Sequence, residues 1–158
     1  MKKFFKDFEL YLGSVFLSVT TLIVIMNVFT RYFLNFTFLW AEEIAVGCFV
    51  WTIFLGTSAA YRRNSLIGVE VLVEFLPEKG KDIVELITNI ALLVLLGIMA
   101  YFSYTYVAGS HKITAVLEIS YGYINSALVL SFGLMTFYTL YYIVRSFKKV
   151  FEKKVTNV

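Results

Sequence analysis

The chain has 158 residues, of which 59% are hydrophobic and only 16% charged, with a formal net charge of +3; its mean hydropathy is +0.78. Soluble domains average about 45–50% apolar and about 25% charged residues, so lipid rather than water is the solvent expected here. One proline and nine glycines exclude a collagenous or disordered chain, the single Cys48 excludes a disulfide framework or multi-cysteine metal site, and the single His111 excludes a bis-histidine haem.

A helix that crosses about 30 Å of hydrocarbon needs roughly 20 mostly apolar residues. Four stretches free of Asp, Glu, Lys and Arg meet that length, residues 10–30, 44–61, 86–110 and 119–144. Their apolar runs are continuous, whereas membrane strands interleave polar positions, so they are expected to be helices that satisfy their own backbone. The fold class predicted is an all-α integral membrane protein of four tilted transmembrane helices, a single membrane domain over residues 1–158.

In chain order, the tail carries Lys2, Lys3 and Lys6 ahead of the first span. Met-Lys-Lys followed by an apolar run has the outline of a signal peptide. The run is too long for one and no small-x-small cleavage site follows, so the first span is expected to stay in place. The first loop runs from Arg31 to Glu43 and is short and aromatic. Glu42 and Glu43 open the second span, where acids complement the helix dipole. Two readings stand for these acids and for Arg31: anchoring at the interface, or contact with a partner. A pairing of Arg31 with Glu42 or Glu43 is left open.

After the second span come Arg62 and Arg63, assigned to fixing topology. Residues 64–77 are apolar apart from a few polar positions; Glu70 and Glu74 lie four apart on one helical face, and Pro77 closes the segment. That pattern predicts a short amphipathic helix in the interface between the second and third spans. The third and fourth spans are joined by a short loop that holds His111 and Lys112. Tyrosines gather near span ends, as in interfacial aromatic belts. Within the spans, Asn27, Asn89, Asn125 and several Ser and Thr are expected to bond between helices, and Gly47, Gly56, Ala60, Gly97 and Gly133 to allow close approach.

Of the fourteen lysines and arginines only Arg31 and Lys112 fall in the first and third loops. The positive-inside rule therefore puts both termini in the cytoplasm, and anionic lipid headgroups rather than nucleic acid are the partners of the basic residues. No span holds Asp, Glu, Lys or Arg, and none reads as a broken Gly/Pro-rich helix, one or the other of which a carrier's own ion path normally needs. No catalytic or metal-binding constellation is visible, and no cofactor is expected.

The string Arg31-Tyr32-x-x-Asn35-x-x-x-x-Trp40-x-Glu42-Glu43-x-Ala45, then Phe49-Val50-Trp51-x-x-Phe54-Leu55-Gly56, then Ala60-x-Arg62-Arg63, closely resembles the small membrane subunit of tripartite ATP-independent periplasmic (TRAP) transporters, the DctQ-like family. The likeness continues through Ile67-x-Val69 and Leu76-Pro77. It departs at Leu66, where the family often has histidine, and at Ser120, where proline is common, so no role is carried over to those two positions.

The resemblance implies a non-catalytic subunit in the bacterial inner membrane. It would scaffold a separate large membrane subunit that binds substrate and sodium ions, and help dock a periplasmic substrate-binding protein for uptake of an organic acid, a C4-dicarboxylate or sialic acid among them. The residues it points to as partner contacts or interface anchors are Arg31, Tyr32, Asn35, Trp40, Glu42, Glu43, Arg62 and Arg63. The competing class is a self-associating four-span channel or small carrier, which needs pore-lining polar stripes where these spans have scattered Ser, Thr and Asn.

Overall fold

The computed structural model describes residues 7–63 and 78–156. Over those residues it is helical: α1 (Phe8–Phe33), α2 (Leu39–Arg62), α3 (Glu78–Ala108) and α4 (Tyr121–Thr156). Each is long and apolar enough to cross a membrane, so the chain is a multi-pass membrane protein, as its composition requires. The interfacial helix expected at 64–77 lies outside the described residues.

The helices overrun the charge-free windows that located them. At a rise of 1.5 Å per residue, the 26 residues of α1 extend about 39 Å and the 36 of α4 about 54 Å. Both exceed the hydrocarbon thickness, so they tilt or project beyond it. Two ends fall short instead, α3 stopping at Ala108 rather than 110 and α4 starting at Tyr121 rather than 119. Ile119 is tied to Thr114 by two hydrogen bonds, Thr114 N to Ile119 O and Ile119 N to Thr114 Oγ1, and Ile113 bridges Ser120, which holds 113–120 as a braced loop.

α1 stops where Asn35 takes φ 49°, the left-handed conformation that commonly follows a helix end. Leu34 N and Phe36 N both return to Thr30 O, at 2.9 and 3.2 Å. Asparagine is one of the few residues with a Cβ that adopts this conformation readily. Asn35→Gly is therefore expected to fold as the parent does, whereas Asn35→Val should cost about 1–2 kcal/mol, read as a lower midpoint of thermal unfolding in detergent.

α1 packs on α2, α2 on α4, and α4 on α3. Residue pairs fix the directions. Gly13 lies beside Leu55 and Phe16 beside Trp51 at 5.5 Å between rings, so α1 and α2 are antiparallel. Gly47 meets Ile124, Phe54 meets Phe132 and Tyr61 meets Thr139, so α2 and α4 run parallel. α2 and α4 are central, with 28% and 22% of their spans buried against 6% and 11% for α1 and α3. One end of the molecule, here the crown, holds the 34–38 and 109–120 connections; the other, the base, holds the start of α1 and the ends of α2 and α4.

The buried positions along the central pair are mostly small: Ala41, Ala45, Ala59, Ala127, Ser58 and Ser131. Small side chains let backbones approach where lipid supplies no hydrophobic drive. A Cβ on Gly47 would stand 3.5 Å from Ile124 and one on Gly13 3.8 Å from Leu55, so both are contact glycines. Gly56, Gly97 and Gly133 are not: none of the described residues lies within 4 Å of an added Cβ. Sequence marks glycines but not the helix face that carries the neighbour.

Candidate functional site

The eight residues singled out by sequence divide between the two ends. Six belong to the crown. Arg31 is exposed in the last turn of α1, where a cation complements the helix dipole. Tyr32 is 77% exposed. Asn35 serves the backbone turn just described. Trp40 lies against Phe38, ring centroids 5.6 Å apart, with Phe36 stacked edge-on to Phe38; the group forms an exposed aromatic rim.

The adjacent acids have different occupations. Glu42 is exposed in the first turn of α2. Glu43 reaches across to the 109–120 loop, its Oε1 accepting from Val116 N at 2.9 Å and its Oε2 from Leu117 N at 2.9 Å. Among the described residues no ion pair joins Arg31 to either glutamate. Glu43 is therefore the link between the second span and the loop ahead of α4, and the loop's Ile113 and Val116 face outward at 60% and 45% exposure. Glu118 within it adopts φ 54°.

Asn27 also works at the crown. Its Oδ1 accepts from Phe38 N at 3.0 Å and so ties the entry of α2 to α1, a cap on the backbone in place of the interhelical side-chain bond expected. Asn27→Ala would strand that N–H at the membrane boundary, at about 1–3 kcal/mol; thermal unfolding of the variant in detergent measures it. Helix-to-helix hydroxyl bonds do occur deeper, Ser131 Oγ donating to Phe54 O at 2.7 Å and Tyr61 OH meeting Thr139 Oγ1 at 2.6 Å.

The remaining two residues, Arg62 and Arg63, sit at the base in a cluster the sequence did not reveal. Asp7 Oδ1 is 2.8 Å from Arg63 Nη2 and 3.6 Å from Arg62 Nη2. Glu9, only 6% exposed, has Oε2 at 3.8 Å from Arg62 Nε and accepts from Tyr138 OH through Oε1. The Arg62 guanidinium stands 6.0 Å from the Tyr138 ring, and Tyr142 OH donates to Arg62 O at 2.6 Å. Among the described residues two acids and two bases pair here and join α1, α2 and α4. The cluster holds the helices together.

The charge-free run of the first span begins at Leu10 and so leaves out Glu9 by one residue. Glu9, Gly13 and Phe16 recur at helical spacing on the face toward α2, and that periodicity was the available signal. Among the described residues no group of three His, Cys, Asp or Glu converges as a metal site would require.

Comparison with known proteins places this arrangement. The family model described as the DctQ component of tripartite ATP-independent periplasmic transporters matches residues 20–149. A C4-dicarboxylate TRAP transporter small permease protein, DctQ of Vibrio cholerae, is 33% identical over 54% of this chain and 37% of its own length. The sialic acid TRAP transporter small permease protein SiaQ of the same organism is 25% identical over 96% of this chain and 84% of its own. The sialic acid TRAP transporter permease protein SiaT of Haemophilus influenzae is 26% identical over 85% of this chain, which spans only 22% of that larger protein.

Proposed function

The chain belongs to the DctQ-component family of tripartite ATP-independent periplasmic transporters, and from that premise we propose that it is the non-catalytic scaffold subunit of such a transporter. A separate large membrane subunit carries the substrate and the sodium ions. This chain packs against it in the bacterial inner membrane, with the base and both termini in the cytoplasm. The crown faces the periplasm and helps receive a soluble substrate-binding protein that delivers an organic acid. The relatives' names place C4-dicarboxylates and sialic acid in that class.

The observation that carries the reading is the family match over residues 20–149 on helices whose charges gather at their ends. A carrier's own path needs ionisable groups or broken helices at mid-membrane. Here Glu43 is committed to a loop and Glu9 to a structural cluster. The basic residues outside the first and third loops support the orientation. Relatives of both kinds, small permease and larger permease, support assembly with a large subunit.

The test is to co-express the chain with the large subunit encoded beside it, tag only the small one and reconstitute what is recovered. A one-to-one complex that takes up an organic acid only with sodium and its binding protein is the expected result. A tagged chain that purifies alone as a homo-oligomer and transports unaided would overturn the reading in favour of a channel.

A further inference from the structure

At the base, three buried side-chain atoms have no hydrogen-bond partner among the described residues: Glu9 Oε2, Arg62 Nε and Ser58 Oγ. The hydroxyl has a local reason. The carbonyl one turn back, which a helical serine ordinarily takes, is Phe54 O, and it already accepts from Ser131 Oγ at 2.7 Å. The other two atoms are neighbours, 3.8 Å apart. Their charges attract at that distance, but an N–H reaches a lone pair only at about 2.7–3.2 Å between heavy atoms. Other partners keep the two groups from closing the gap. Glu9 is held through Oε1 by the Tyr138 hydroxyl. Arg62 is drawn toward Asp7 through Nη2, with its guanidinium 6.0 Å from the Tyr138 ring.

We infer that one water molecule is bound between Arg62 Nε and Glu9 Oε2 and turns this contact into a water-mediated ion pair. The chemistry of the two atoms selects the occupant. It has to accept from a cationic N–H and donate to a carboxylate oxygen, which a neutral molecule with both capacities does. A metal ion is repelled by the guanidinium and an inorganic anion by the carboxylate. An oxygen at about 2.8–2.9 Å from each atom spans the 3.8 Å separation, and bridging waters are the usual means of satisfying buried polar groups left short of a partner. The Arg62 side chain keeps 18% exposure, which gives water an entry from the base. One trapped water satisfies an oxygen without replacing the cation, so Glu9 still depends on Arg62 for its charge. Such a water is set by the fold alone and is independent of any role in transport.

The chain has four arginines, so the full-length protein with isotope-labelled arginine in detergent gives few Nε–Hε resonances, and the one that Arg62→Lys removes belongs to Arg62. Between that Hε and water, nuclear magnetic resonance should show a cross-peak with the sign of dipolar contact to a long-lived bound water, opposite to that of proton exchange. Tyr138→Phe and Ser58→Ala should both keep it, because neither hydroxyl is its source. A structure determined in lipid nanodiscs should carry a solvent peak within about 3.2 Å of both atoms. No cross-peak in the unaltered chain, its loss in either hydroxyl variant, or a direct Nε to Oε2 hydrogen bond in the nanodisc structure would overturn the bridge.

Discussion

Replacing Glu43 by Gln is expected to release the Val116–Leu117 turn, while the same change at Glu42 leaves it in place. Each oxygen of Glu43 accepts one backbone N–H of the turn. An amide keeps one acceptor and turns a donor toward the other N–H, so the substitution replaces a bond with a donor–donor conflict. Amide exchange over residues 113–120 should then accelerate by on the order of tenfold or more, since protection follows the free energy of local opening. Glu42 makes no such contact, and Glu42→Gln should exchange as the parent does. Uptake by the assembled transporter separates the two routes by which the crown could serve docking. Loss in Glu43→Gln together with faster loop exchange assigns Glu43 to positioning the loop. Loss in Glu42→Gln with unchanged exchange assigns Glu42 to direct contact. Unaltered exchange in Glu43→Gln would remove the clamp altogether.

The four helices were legible because lipid imposes a single rule on backbone and composition, and each span obeys it over its whole length. Helix ends were less legible: the rule used absence of charge, and at Glu9 a charge is buried inside the helical frame by partners from other helices. The contrast between Glu42 and Glu43 was illegible for another reason. Adjacent residues on a helix point about 100° apart, and only the fold shows that one direction meets the 109–120 loop and the other meets solvent. Asn35 was marked by the family motif as a contact or anchor, and its φ of 49° gives it a backbone duty that motif matching does not separate from recognition. The place of Arg62 and Arg63 beyond a span points to topology; their carboxylate partners lie more than fifty residues earlier, and no local pattern connects them.

The base cluster predicts an asymmetry that tests its geometry. Arg62→Met should destabilise the protein more than Glu9→Leu does, although both delete one half of the same pair. Without Glu9, Arg62 still has Asp7 at 3.6 Å and is only partly withdrawn from solvent. Without Arg62, Asp7 retains Arg63 at 2.8 Å, but Glu9 is left as a carboxylate 6% exposed with the Tyr138 hydroxyl as its donor among the described residues. Stranding a buried charge costs about 3–5 kcal/mol, far more than an ion pair contributes when both halves are replaced by apolar groups. The double variant Glu9→Leu with Arg62→Met should accordingly recover most of the stability that Arg62→Met loses, and Tyr138→Phe should cost about 1.5–3 kcal/mol by taking the charged oxygen's donor. Thermal unfolding in one detergent, followed by circular dichroism, ranks all four. Equal losses in the two single variants, or no recovery in the double, would mean that Glu9 is hydrated in the membrane and that the tie between α1 and the central pair rests on Gly13 and Phe16. The same set separates stability from topology, because Arg63 and the basic residues beyond it remain to orient the chain when Arg62 is gone.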